Sequence, residues 1–249
     1  MRLKDKVAVV TGGASGFGEG IVRRFAEEGA SVVIADLNGS AGESLARGLG
    51  KAACAQTTDV SKDASVAALA AFVLERFGRI DIVVNNAGVP QPPLALEAVE
   101  DALFEKIVAV NMRSLFLMAR HFVPPMKAAK KGAILNIAST AAVRPRPRLA
   151  WYNASKGFVV TATQSMAIEL APFGVRVNAI NPVAGDTPML KTFMGGADTP
   201  EARAQFMATI PLGRLSTPAD VATAATFLVS DEASMITGVA LEVDGGRAI

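Results

Sequence analysis

Short apolar runs alternate with helix-patterned segments along all 249 residues, and this alternation leaves the chain very few architectures. Val7–Val10, Ser31–Ala35, Ala52–Thr57, Ile80–Val84, Ala133–Ile137, Val175–Ile180 and Val239–Val243 read as strands. Most are continuous Val/Ile/Ala/Leu text, the pattern of strands covered on both faces. Between them Gly18–Glu28, Gly39–Leu49, Ala64–Phe77, Glu97 to about Lys127, Tyr152–Leu170 and Ala219–Leu228 read as helices. Gly29 stands just past the first helix, where a glycine ends one. Strands and helices in series imply right-handed crossovers and a parallel sheet. The expected fold class is α/β: a doubly wound parallel sheet of about seven strands, helices on both faces, with 1–249 as a single domain. Asn181 to about Pro200 reads as an irregular substrate loop, with a lid over about 182–210. Such sheets bind ligands at the carboxyl ends of their strands, so chemistry belongs in the loops that follow them.

Composition removes several function classes. Hydrophobic residues make up 51% of the chain, yet no run approaches the roughly 20 apolar residues that span a bilayer. The charged start, Met1–Lys6, lacks a secretory core, so a cytoplasmic protein is expected, with no membrane partner. A net charge of +2, spread along the chain, offers no basic stripe for nucleic acid. With one cysteine, Cys54, and one histidine, His121, no metal site is expected, since a catalytic zinc usually needs three protein ligands. His121 reads as an ordinary helix residue.

The first strand runs into Thr11-Gly12-Gly13-Ala14-Ser15-Gly16-Phe17-Gly18 and then a helix. Glycines there let backbone approach a pyrophosphate, and the N–H groups at the helix start stabilise its charge. Gly12, Ser15, Gly16, Phe17 and Gly18 are therefore candidate cofactor contacts. Asp36 ends the second strand beside Leu37; its carboxylate suits the ribose hydroxyls of NAD and repels the extra phosphate of NADP. NAD is the expected cofactor. Asp59 and Val60 follow the third strand, where an acid can reach an adenine amino group. Asn86, Ala87 and Gly88 follow the fourth, where small and amide residues let a cofactor pass.

Tyr152 and Lys156 are four residues apart, on one helix face. A phenol near pKa 10 is a poor base at neutral pH, and a nearby ammonium is expected to lower that value. Ser139 ends the fifth strand, where its hydroxyl can hold a substrate oxygen. In these residues the chain resembles a short-chain dehydrogenase/reductase of the shorter "classical" type, a Rossmann-type fold. The resemblance covers essentially the whole chain, and also rests on Asn85–Gly88, Asn111, Asn181-Pro182 with Thr187, and Val243–Gly246.

The resemblance implies that Tyr152 is the general acid/base and that Lys156 polarises it and holds the nicotinamide ribose. Ser139 would orient the substrate oxygen, and Asn111 would bind a water that relays protons. Pro182, Val183 and Thr187 would pass beside the nicotinamide. Asp244-Gly245-Gly246 would lie at a subunit interface, since such proteins are usually homotetramers. Phe17 stands where isoleucine is usual, Val183 where glycine is expected, and Gly185 where an aliphatic residue is common.

The implied activity is NAD(H)-dependent interconversion of a secondary alcohol, or a 3-hydroxyacyl compound, and its ketone. A 3-oxoacyl-[acyl-carrier-protein] reductase and a non-catalytic NAD-binding regulator are the alternatives. Arg144, Arg146 and Arg148 lie between Ser139 and Tyr152, and read either as cations for an anionic substrate or as a stiff surface loop with subunit salt bridges. Trp151, Val183, Met189, Leu190, Phe193 and Met194 are expected to form an apolar pocket wall.

Overall fold

In the computed structural model, which describes residues 1–196 and 198–249, all seven expected strands form; the inner ones are covered from both sides, and the two edge strands, over 53–57 and 240–243, stay partly exposed. The elements are β1 (Val7–Thr11), α1 (Gly16–Glu27), β2 (Ser31–Asp36), α2 (Gly39–Leu49), β3 (Ala53–Thr57), α3 (Asp63–Phe77), β4 (Ile82–Asn85), α4 (Asp101–Ile107), α5 (Ser114–Ala129) and β5 (Gly132–Ile137). They continue as α6 (Ala150–Leu170), β6 (Val175–Pro182), α7 (Leu190–Phe193), α8 (Pro200–Met207), α9 (Pro218–Val229) and β7 (Ala240–Val243).

The seven strands pair in parallel in the order β3-β2-β1-β4-β5-β6-β7. Val9 on β1 sits opposite Val33 on β2 and Val83 on β4. Alternate strand residues feed opposite faces. Ala8, Val10 and Ile34 pack with Ile21 and Phe25 of α1 and with Val221 and Leu228 of α9. Val9 and Val33 pack with Leu69 of α3, Phe122 of α5 and Leu170 of α6. The strand order reverses between the neighbours β1 and β4, so a crevice opens above their carboxyl ends.

Two sequence expectations change. The long helix over 97–127 is interrupted: α4 passes into a π-wound turn at Val108–Arg113 before α5 begins. A single-turn π segment keeps the helical text continuous while adding a residue to the turn, so the sequence pattern does not reveal it. The stretch read as an irregular loop from Asn181 begins inside β6 and carries α7, with α8 starting at its end. Ala197, within the expected lid, lies outside the described residues. His121 is a helix residue, as read, and its Nε2 lies 3.0 Å from Asp63 Oδ1 at the start of α3. Among the described residues no helix is long and apolar enough to cross a membrane.

Candidate active site

The turn between β1 and α1 is shaped by what glycine omits. Gly12 and Gly16 have φ of +60° and +56°, a region costly for residues with a Cβ. A Cβ on Gly18 would lie 2.0 Å from the Gly12 carbonyl oxygen, so the turn closes only around glycine there. Asn86 reaches over from the end of β4, and its Nδ2 donates to the Thr11 and Gly12 oxygens at 2.9 and 3.0 Å. Ser15 caps α1 with no side-chain bond to the helix, leaving its hydroxyl and first-turn N–H groups for a ligand. This cradle fits a pyrophosphate.

The same cavity, about 600 Å³, extends along the strand ends in both directions. Toward β2 and β3 it meets Asp36, Leu37, Asp59 and Val60; past β4 it meets Asn86, Ala87 and Gly88. The Asp36 carboxylate is aimed by two backbone donors, Ala14 N and Asn38 N, each at 2.9 Å. The Asp59 carboxylate accepts from Ser61 Oγ and N at 2.6 and 2.9 Å, and those bonds hold it below the usual carboxylate range. Gly12, Ser15, Gly16 and Phe17 also line the cavity, as do Pro182, Val183 and Thr187. Gly18 packs beneath the turn instead.

Two departures from the family pattern explain one another. A Cβ on Gly185 would sit 2.2 Å from Cζ of the Phe17 ring and 2.5 Å from Cε1. The ring occupies the space that a side chain at 185 would fill. The larger residue on α1 and the missing one after β6 are a matched pair.

Ser139, Tyr152 and Lys156 meet in the cavity between β5 and α6. Ser139 Oγ accepts from Ala141 N at 3.1 Å, which leaves its own O–H to donate toward Tyr152. Tyr152 is 7% exposed, and burial pushes its phenol up to about 12 against the opposing Ser139 bond. This corrects the expectation of a phenol lowered by its lysine. Lys156 Nζ stands 5.8 Å from the ring centroid and donates to the Ile137 oxygen at 2.9 Å, so desolvation dominates. Burial pushes Lys156 itself down to about 8.

Asn111 sits in the π-wound turn and does not line the cavity. Its Oδ1 accepts from Val89 N at 2.8 Å, and its Nδ2 donates to Val89 O and Ser155 Oγ at 3.0 and 3.1 Å. The side chain is thus fully engaged in stitching the β4 loop to α6. Gln91, which sequence reading missed, is fully buried and accepts from Tyr152 N at 3.0 Å, a donor left free in the first turn of α6.

On the substrate side, Val183, Met189, Leu190 and Phe193 line the cavity as expected, and Phe193 meets Tyr152 edge-on at 5.0 Å. Trp151 does not line it: the ring packs on Phe104 at 5.4 Å, and its Nε1 donates to the Leu96 oxygen. Met194 packs behind the wall, against Val183 and Leu190. Of the three arginines, Arg144 and Arg146 border the cavity and Arg148 does not. Phe206 and Arg247 border it too, and no sequence signal pointed to either.

Over residues 12–248 the chain matches a family model described as enoyl-(acyl carrier protein) reductase. It belongs to the short-chain dehydrogenase/reductase family, and is an oxidoreductase acting on hydroxyl and keto groups. It is 44% identical to the 4-formylbenzenesulfonate dehydrogenase of Comamonas testosteroni, covering 100% of both chains. It is 39% identical to the cis-4-hydroxycyclohexanecarboxylate dehydrogenase of Sinomonas cyclohexanicum, covering 97% of this chain and 96% of that one. A solved 3-ketoacyl-(acyl-carrier-protein) reductase from Brucella melitensis, complexed with NADH, superposes with a TM-score of 0.94 at 51% identity, covering 99% of this chain and 100% of that one.

Proposed function

We propose that the chain is an NAD-dependent dehydrogenase that interconverts a small alcohol and its carbonyl compound, with Tyr152, Lys156 and Ser139 as catalytic residues. The observation carrying this reading is a single cavity with the Asp36 carboxylate at one end and the Ser139–Tyr152 pair at the other. A carboxylate in that place accepts from ribose hydroxyls and repels a ribose phosphate. Gly12, Ser15 and Gly16 would hold the pyrophosphate, Asp59 and Val60 would border the adenine, and Asn86 to Gly88 would pass beside the ribose. Pro182, Val183 and Thr187 would face the nicotinamide.

Bound NAD supplies the hydride acceptor. In oxidation the Tyr152 oxygen takes the alcohol proton while the Ser139 hydroxyl donates to the same substrate oxygen and fixes its direction. Lys156, whose ammonium faces the same space, would hold the ribose of the bound cofactor. Asn111 positions these groups by fixing Val89 and Ser155. The segment over 182–210 would cover the substrate, placing Phe193 against it.

The names of the two curated relatives describe ring compounds that carry an acid group, which favours a substrate of that build. The Brucella reductase favours the second reading, reduction of a 3-oxoacyl thioester. Exposed Phe116 and Phe158, on α5 and α6, support a homo-oligomer, read as a tetramer.

A steady-state screen of cyclic and benzylic alcohols, ketones and a 3-oxoacyl thioester, with NAD(H) and NADP(H) in parallel, tests the reading. Turnover of ring alcohols with NAD supports it. Turnover of the thioester alone, with NADPH, replaces it by the second.

A further inference from the structure

The proposed reaction leaves a group of charges in the cavity with nothing to do. Arg146 and Arg247 border the same space as Tyr152 and Phe193. Arg144 is occupied: its Nη1 donates to the backbone oxygens of Arg247 and Ile249 at 2.6 and 2.8 Å. The Asp244 carboxylate accepts from Gly246 N and Ala248 N, so it shapes the same turn without pairing with an arginine. These bonds fold the segment after β7 against the loop after β5 and set Arg247 at the cavity wall.

Arg247 Nε and Nη1 are closed to solvent and have no hydrogen-bond partner among the described residues. Arg146 lies over the Phe206 ring, its guanidinium carbon 4.0 Å from the centroid. Among the described residues neither arginine joins an ion pair, while Arg203 and Arg214 on the surface each hold aspartates at 2.5–2.9 Å. Burial, then repulsion from Arg247, pushes Arg146 down to about 10. Burial, then Arg144, likewise lowers Arg247. Partly dehydrated, mutually repelling cations are unfavourable unless an anion joins them.

We infer that Arg146 and Arg247 form an anion subsite for a carboxylate or sulfonate carried by the substrate away from its reacting carbon. The inference rests on the oxidoreductase reading of the cavity and names its substrate class. Leu149, Phe193 and Phe206 supply an apolar wall for the substrate's body between Tyr152 and the guanidinium groups. A planar guanidinium fork matches the two oxygens of a carboxylate or two of the three of a sulfonate, and with Arg247 Nε and Nη1 closed off that fork is Arg146's, while Arg247 contributes its charge. Phe206 holds Arg146 in place before binding, so little side-chain entropy is lost.

The test is calorimetric titration of the enzyme, with NAD present and at low salt, with benzoate, benzenesulfonate and neutral benzamide. The two anions should bind at least about tenfold tighter than benzamide. Arg146→Met and Arg247→Met should each weaken them about ten- to a hundredfold, and leave benzamide and NAD affinity unchanged. Arg247→Lys should recover part of the loss. Equal binding of benzoate and benzamide by the unmutated protein overturns the inference, whatever the variants do, and so does anion binding that survives in both folded Met variants. No step of this measurement needs turnover. Failure of every alcohol in the activity screen therefore strikes the oxidoreductase reading, while an active enzyme without anion preference strikes only the subsite.

Discussion

Replacing Lys156 by methionine measures what the site gives up to hold a buried ammonium that, among the described residues, no carboxylate pairs with. Lys156 is 6% exposed, and among the described residues its Nζ has one partner, the Ile137 oxygen. Burial moves it from 10.5 down to about 8. At ~1.36 kcal/mol per tenfold change in proton affinity, that costs the fold about 3 kcal/mol at pH 7. The folded chain holds this proton less tightly than the unfolded chain. The penalty is therefore full below pH 8, shrinks between 8 and 10.5, and is gone above. Methionine keeps most of the stem and removes the charge, but leaves the Ile137 oxygen unpaired at a pH-independent cost of about 1–3 kcal/mol. The pH-dependent part is the cleaner quantity. Between pH 7 and pH 9 the unmutated protein should gain about 1.4 kcal/mol relative to Lys156→Met. For 249 residues this is about 3–5 °C in Tm. Urea denaturation of both nucleotide-free proteins, followed through the single tryptophan, reads it directly. A difference that stays flat over that range, or moves the other way, refutes the account of an uncompensated buried charge.

Tyr152→Phe should lower kcat by about 10²–10⁴-fold and leave NAD affinity nearly unchanged, as steady-state rates and nucleotide titration would show. With the phenol lying well above neutrality, oxidation by the unmutated enzyme should rise with pH; a flat profile from pH 6 to pH 10 removes Tyr152 as the base. NAD should exceed NADP in kcat/KM by at least about tenfold, and Asp36→Ala should narrow that ratio mainly by weakening NAD. Gly18→Ala should abolish nucleotide binding, because its Cβ would meet the Gly12 oxygen; Gly48→Ala, where a Cβ meets nothing within 4 Å, should stabilise α2 by about 0.5–1 kcal/mol in denaturant titrations. Gly185→Val should cost about 1–3 kcal/mol, and adding Phe17→Ile should recover most of it; additive losses in that double-mutant cycle would show that the two residues do not interlock.

The strands were legible because a strand covered on both faces must be apolar over most of its length, as β1 is from Val7 to Val10 and β5 from Ala133 to Leu135. The turn after β1 and the spacing of Tyr152 and Lys156 were legible for a local reason: glycine freedom and helical period are written in neighbouring residues. Features that depend on distant packing were not. The π-wound turn at Val108–Arg113 leaves apolar text unbroken. The direction of the Tyr152 shift turned on where Lys156 Nζ points and how dry the pocket is, neither of which spacing encodes. Trp151 lies one residue from Tyr152, but α6 turns it about 100° away, toward Phe104. Phe206 and Arg247 reach the cavity only because α8 and the turn after β7 fold against the loop that carries Arg146.

The interlock of Phe17 with Gly185 also orders the mutational steps by which such a pair can arise. From a parent with isoleucine at position 17 and an aliphatic residue at position 185, a phenylalanine gained first drives its ring into an occupied space. Losing the side chain at 185 first leaves only a void, which a ring can later fill. The path through glycine is therefore the cheaper one, and the path through phenylalanine carries the cost of the clash. Once the ring is seated, reversion at 185 alone carries the same cost, so the pair tends to persist. Among relatives, isoleucine at the first position with glycine at the second should occur as a surviving intermediate. Phenylalanine at the first with a branched residue at the second should be the rarer combination.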